Sequence, residues 1–213
     1  MTAPEPPPAT RPRQRAARGE GDLLREQLLD AASALVHEQG SASSLSIRQV
    51  TKRAGVSPMA LYLHFDSLAD LVGALIDHGF TRFRAALHAA ADAVPGDDPR
   101  ARLRALGLAY LRFAREEPAI YAVIFGAEHE RQQEAGEPDQ HGVGAAAFQD
   151  LVDAIVAVQA VRQGREGDPR MLAMGLWTNL HGFATLCEVS DNEDMPWPDD
   201  ETFVGMISDA WLS

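Results

Sequence analysis

Apolar residues recur with a helical period along nearly the whole chain after residue 21. Leu24, Leu28, Ala31, Ala32 and Leu35 keep the i, i+4, i+7, i+8, i+11 spacing of one helix face, and Gly40 is placed to end that helix. Residues 46–65, SIRQVTKRAGVSPMALYLHF, hold two short helical patterns split at Gly55. Ser46 followed three residues later by Gln49 forms a capping box, Val50 and Ala54 supply an inward face, and Val56 plugs the corner. Ser57 caps the next helix, from which Leu61 and Phe65 face the same core. The pattern predicts a helix-turn-helix whose second helix spans 57–64.

Longer helices follow. Leu71, Leu75, Phe83 and Leu87 mark one over 67–93; Leu103, Leu106, Tyr110 and Phe113 mark one over 99–115; a short one over 118–125 stops at Gly126. Asp98-Pro99 and Asp168-Pro169 each pair an N-cap acceptor with a proline at the first helical position, where its missing N–H costs nothing. The polar stretch Ala127–Gly142 reads as a loop. Helices over 143–163 and 169–188 come next, then an acidic link, Ser190–Asp200, and a last helix carrying Phe203, Val204, Ile207 and Trp211. No strand pattern and no repeat at a fixed period interrupts them, so the fold class is all-α. No run approaches the roughly 18 apolar residues of a membrane span, and a soluble, cytoplasmic protein without a membrane partner is expected.

Composition adds little until the charge is divided along the chain. The 213 residues carry a net charge of −12, which taken whole argues against nucleic acid. Residues 1–65 hold 8 basic and 6 acidic side chains, whereas residues 66–213 hold 11 and 25. A slightly basic first third is joined to a strongly acidic remainder, and such asymmetry points to a partner of the first third. The arm 1–21 is rich in proline and arginine and is expected to be disordered. Its arginines either reach a minor groove as an arm does or keep the end soluble.

Catalytic chemistry has no candidate constellation. Cys187 is the only cysteine, so no disulfide forms within the chain and no thiolate cluster holds a metal. The seven histidines show no metal-ligand spacing, and no phosphate loop, nucleophile elbow or dinucleotide fingerprint is present. No metal, no cofactor and no enzymatic activity is expected.

A helix-turn-helix puts the leading end of its second helix at base edges in the major groove while the first crosses the backbone. Here that end is Ser57, Pro58, Met59 and Ala60, with Tyr62 and His64 further along at reach of phosphates. Residues 22–75 resemble the DNA-binding domain of the TetR family of bacterial regulators: a first helix ending in glycine, then RAGVSPMALYLHF, then a long helix opening at Ser67. The resemblance implies DNA-facing roles for Ser46, Ser57, Pro58, Met59, Ala60, Tyr62 and His64. Two positions depart from it: Leu68 stands in place of a phosphate-binding lysine and Thr51 in place of a small alanine. Arg48, Lys52, Arg53 and the arm arginines are the available substitutes for the missing charge.

EPAIYAVIFG at 117–126 and WTNLHGFATL at 177–186 resemble the hallmark segments of TetR-family regulators whose ligand domain carries a Trp-x-x-x-His-Gly motif. Trp177 and His181, one helical turn apart, are then either part of a ligand pocket or a packed tryptophan and a hydrogen-bonded core histidine. Tyr110, Phe113, Tyr121, Phe125, Phe148, Met171 and Met174 either line the same pocket or fill the core. The resemblance also implies a homodimer paired through the last two helices, 169–188 and 201–212, around a two-fold axis. The reading is an arm (1–21), a DNA-binding domain (22–75) and an effector-binding and dimerisation domain (76–213). Such a protein is a repressor that binds a pseudo-palindromic operator and is released by a small, apolar molecule. The rival readings are a helical enzyme holding a small substrate and an adaptor without DNA binding.

Overall fold

Helices make up most of the described part of the chain. The computed structural model describes residues 20–126, 142–161, 166–189 and 197–212. The arm before residue 20, nearly all of the expected loop 127–142 and most of the acidic link lie outside these. Among the described residues the elements are α1 (Glu20–Gln39), a 3-10 turn (Ala42–Ser44), α2 (Ile47–Ala54), α3 (Pro58–Leu61), α4 (Leu68–Asp92), α5 (Pro99–Glu116), α6 (Pro118–Phe125), α7 (Val143–Ala160), α8 (Pro169–Val189) and α9 (Asp200–Leu212), and there is no strand.

The caps fall where the sequence places them. Asp98 accepts from the N–H groups of Arg100 and Ala101, and Ser57 from that of Ala60. The Ser46 hydroxyl accepts from Gln49 N–H at 3.3 Å and donates to Gln49 Oε1 at 2.6 Å. This box therefore closes side chain to side chain, where the usual form returns to the cap's own backbone. Gly55 takes φ +71° in the left-handed region, which lets its N–H and that of Val56 close the end of α2 on Lys52 and Thr51 carbonyls.

Two expectations need correction. The second helix of the motif does not run from 57 to 64: α3 ends at Leu61, and Tyr62–His64 form a tighter turn in which His64 N–H bonds Leu61 O at 2.9 Å. The segment lies between two serine caps, Ser57 and Ser67, and has to return Phe65 to the core beside Leu61, so the winding tightens before α4 begins. The second correction concerns α7, which is 18 residues long and apolar enough by length and composition to cross a membrane. Here it is a helix of the bundle: Ala147, Val152, Ile155 and Val158 enter the core, and its Asp150 is ion-paired to Arg84.

α1, α2 and α3 pack around Leu28, Val36, Val50 and Leu61, all fully buried, with Leu29, Leu35 and Phe65 beside them. Burying each such side chain contributes about 1.5–3 kcal/mol. The buried stripe of α1 is wider than the predicted face, since Leu29 and Val36 join it while Leu24 is only half-buried. α4 supplies Leu71 and Leu75 to this cluster and Phe80, Phe83 and Leu87 to the next. The domain boundary expected after residue 75 thus falls inside one uninterrupted helix. α5 is the axis of the remainder, packed against α4, α7, α8 and α9.

Candidate functional site

The helix-turn-helix presents a small exposed surface. Met59 is 71% exposed and Leu63 76%, with Tyr62 half exposed between them. Ser57, Pro58 and Arg48 are exposed too, while Ala60, His64 and Ser46 are half-buried. The Ser46 and Ser57 hydroxyls are already engaged as caps. His64 lies alongside Gly21 at the start of α1.

The charges nearby are unequal in availability. Arg53, a candidate substitute for the missing lysine, is held by Glu38 at 2.7 Å. Arg48 and Lys52 stay exposed. Arg25, which the sequence reading passed over, sets its guanidinium 5.2 Å over the Phe65 ring and so adds a positive group beside the motif. Its signal was present only as an arginine inside the first apolar stripe, between Leu24 and Leu28. Leu68 packs its side chain on the core, and Thr51, almost fully buried, satisfies its hydroxyl on Ile47 O at 2.8 Å. Both departures are therefore accommodated by packing and a backbone bond.

Behind the helix-turn-helix lies a cavity of about 560 Å³ between α4, α5, α6, α7 and α8. Among the residues singled out from sequence, Tyr110, Phe125, Phe148, Met174, Trp177 and His181 line it. Phe113 does not, lying edge-on to Phe83 at 5.2 Å inside the core. Tyr121 sits behind the wall, where its ring stacks on His181. Met171 faces outward at 67% exposure. The sequence reading missed Phe80, Phe83 and Leu87 of α4, Leu106 and Gly107 of α5, and Asp150 of α7. The first three were visible as a helical stripe, which by itself does not distinguish a cavity wall from solid core.

The wall is aromatic. Phe125 meets Phe80, Phe83, Tyr110 and Tyr121 at ring separations from 4.9 to 6.0 Å. Polar atoms gather at two places. In one, the Tyr121 hydroxyl lies 2.6 Å from His181 Nδ1 and 2.9 Å from the Tyr110 hydroxyl, which is itself 3.2 Å from Nδ1. Burial, reinforced by Tyr121, pushes the Tyr110 phenol far above its ordinary value. Burial also lowers the His181 imidazole below the usual 6.5. In the other, Asp150 is gripped by Arg84 Nε at 2.7 Å and Nη2 at 3.0 Å, with His88 Nε2 at 2.9 Å. Burial raises the Asp150 carboxyl, but the hydrogen bonds from Arg84 and His88 outweigh it and hold the group below the carboxylate range. Among the described residues, no group of three or more His, Cys, Asp or Glu side chains is arranged to hold a metal ion.

Comparison with known proteins bears on both regions. The family of bacterial regulatory proteins called the tetR family matches residues 28–75, and a tetracyclin repressor-like C-terminal domain matches residues 103–210. The HTH-type transcriptional activator FasR of Mycolicibacterium smegmatis is 29% identical over 195 residues, covering 89% of this chain and 82% of its own. A protein of unknown function from Rhodococcus sp. RHA1 superposes with a TM-score of 0.70 at 26% identity, covering 94% of this chain and 96% of that one. The fatty acid degradation regulator FadR of Bacillus halodurans shares the fold, with a TM-score of 0.70 at 17% identity over 93% of this chain and 97% of its own. A reader built on α2 and α3, a second helical body behind it, and a family match that spans half the chain lead to one assignment: this protein belongs to the TetR family of bacterial transcriptional regulators.

Proposed function

We propose that the protein is a homodimeric, effector-responsive repressor, with residues 22–75 as reader and 76–213 as effector-binding and dimerisation body of the Trp-x-x-x-His-Gly type. The observation that carries this reading is α4, one helix about 37 Å long at 1.5 Å per residue, which contributes Leu75 to the reader core and Phe80 and Phe83 to the cavity wall. A ligand that changes the packing of Phe80 and Phe83 acts on the same rigid rod that holds the reader. Two recognition segments related by a two-fold axis match half-sites about 34–36 Å apart. A ligand that binds a dimer geometry with another spacing more tightly shifts the population away from the operator-bound form.

Met59 and Ala60 read base edges in this scheme. Arg48, Tyr62 and His64 reach phosphates, and Ser46, Ser57 and Pro58 bring the backbone N–H groups at the start of α2 and α3 to the DNA. Tyr110, Phe125, Phe148, Met174, Trp177 and His181 contact the effector, with Tyr121 positioning His181 and Phe113 supporting the wall. The dimer reading is supported by the outer faces of the last two helices, where Met171, Leu186 and Met206 are each more than half exposed and an added Cβ at Gly182 would meet nothing within 4 Å. The partner is double-stranded DNA, which places the protein in the bacterial cytoplasm.

A gel shift on the DNA flanking its own gene, repeated over a salt series, tests the reading. The expected result is a dimer-sized complex that weakens steeply with salt; absence of any complex at low salt refutes it. A reporter driven by that DNA separates repression, expected as a rise on deletion of the regulator, from the activation that the name of FasR attaches to that relative.

A further inference from the structure

We propose that the cavity takes an uncharged, largely apolar molecule that presents one hydrogen-bond acceptor, a carbonyl or ether oxygen, to His181 Nε2. The inference rests on the reading of this cavity as the effector site and adds the chemistry of what it selects. Its basis is the proton arrangement in the Tyr110–Tyr121–His181 cluster. At 2.6 Å, the contact between the Tyr121 hydroxyl and His181 Nδ1 is shorter than the 2.9–3.0 Å typical of an N–H donor to oxygen and matches an O–H donor. A phenol is also the stronger proton donor of the two. Tyr121 O–H therefore donates to Nδ1, Tyr110 O–H donates to the Tyr121 oxygen at 2.9 Å, and each hydroxyl proton is used.

With Nδ1 occupied as an acceptor, a neutral imidazole carries its proton on Nε2. Burial favours that neutral form. Nε2 makes no hydrogen bond among the described residues, and His181 lines the cavity. The cavity thus offers an N–H donor fixed in direction by two tyrosines, in a wall that is otherwise mainly aromatic and aliphatic.

The basic side chains beside Asp150 do not favour an anion. Arg84 and His88 both hold Asp150, so a carboxylate entering the cavity would meet a compensated charge. Arg102 lines the adjoining cleft, whose lining also carries Asp97, Asp150 and Asp153. An unpaired anion in an apolar cavity carries a large desolvation penalty. A volume of about 560 Å³ suits a small molecule of ordinary size.

The test uses three probes of nearly equal shape, β-naphthyl methyl ketone, β-ethylnaphthalene and β-naphthoate, titrated calorimetrically into the full-length protein. The ketone is expected to bind about three- to tenfold more tightly than the hydrocarbon, the value of one buried hydrogen bond, and the carboxylate more weakly than either. His181→Leu should level ketone and hydrocarbon, whereas His181→Gln, which keeps an N–H donor, should restore part of the preference. Equal binding of ketone and hydrocarbon by the native protein, or tighter binding of the naphthoate, overturns the proposal while leaving the cavity an effector site. Failure of all three to bind removes the effector-site reading itself. The native ranking decides the matter even where a His181 variant fails to fold.

Discussion

Gly79→Ala should destabilise the protein, although a glycine inside a helix is ordinarily improved by alanine. Gly79 lies in α4, where alanine would gain about 0.8–1 kcal/mol in helix propensity. A Cβ built there stands 2.6 Å from Ile124 Cγ2 and 3.0 Å from Ile120 Cγ2 on α6. Both isoleucines are almost completely buried, so neither methyl can turn away into solvent. Overpacking of a closed core costs about 1–3 kcal/mol, which leaves a net loss of about 1 kcal/mol and a fall in Tm of roughly 2–4 °C for a chain of this size. The measurement is urea and thermal denaturation of Gly79→Ala, Ile124→Ala and the double variant. Ile124→Ala alone should lose about 2–5 kcal/mol, and the methyl group added at position 79 should recover part of that loss in the double variant. A coupling favourable by more than about 0.5 kcal/mol supports the close approach of α4 and α6. A stabilised single variant, or strict additivity, refutes it.

Other expectations concern the reader, Asp150 and the outer face. Arg48→Ala should weaken all DNA sequences alike and reduce the salt slope by about one, whereas Met59→Ala should change the preferred sites in a binding selection; an unchanged slope or unchanged sites would count against these roles. Asp150 has its carboxyl lowered in the folded protein, so its contribution is complete above the ordinary value of 3.8 and is lost as pH falls through the folded value. Asp150→Asn should therefore lower stability to urea at neutral pH, and the difference from the native protein should shrink below pH 3.8; a constant difference would show that the pair with Arg84 is not its source. Leu186→Glu should shift sedimentation toward the monomer, and a dimer unaffected by this charge would exclude that face of α8 from the interface.

Periodicity and caps were enough to find the helices and their starting points, because a capped amphipathic helix is a local object. Asp98, Ser57 and Ser67 each act on N–H groups two or three residues away. The turn at Gly55 was legible for the same reason: only the left-handed region joins α2 to α3 so closely. Less was legible where the decisive contact comes from a distant element. The length of α3 depends on returning Phe65 to a core shared with α1. The apolar run of α7 belongs to the bundle through the four side chains it buries and its pair with Arg84, 66 residues earlier in the chain.

The same division runs through the candidate site. Sequence alone determined that Trp177 and His181 share a face, since a helical turn separates them, and that the first third of the chain is the basic part of an acidic protein. Only the tertiary structure decided that Tyr110 and Tyr121 converge on His181, that Phe113 is core while Phe125 is wall, and that Arg53 is held by Glu38. Helical spacing reports which residues lie on one face. Whether two apolar faces meet in full contact or stand apart around about 560 Å³ depends on how several helices cross, and that is a property of the packed bundle.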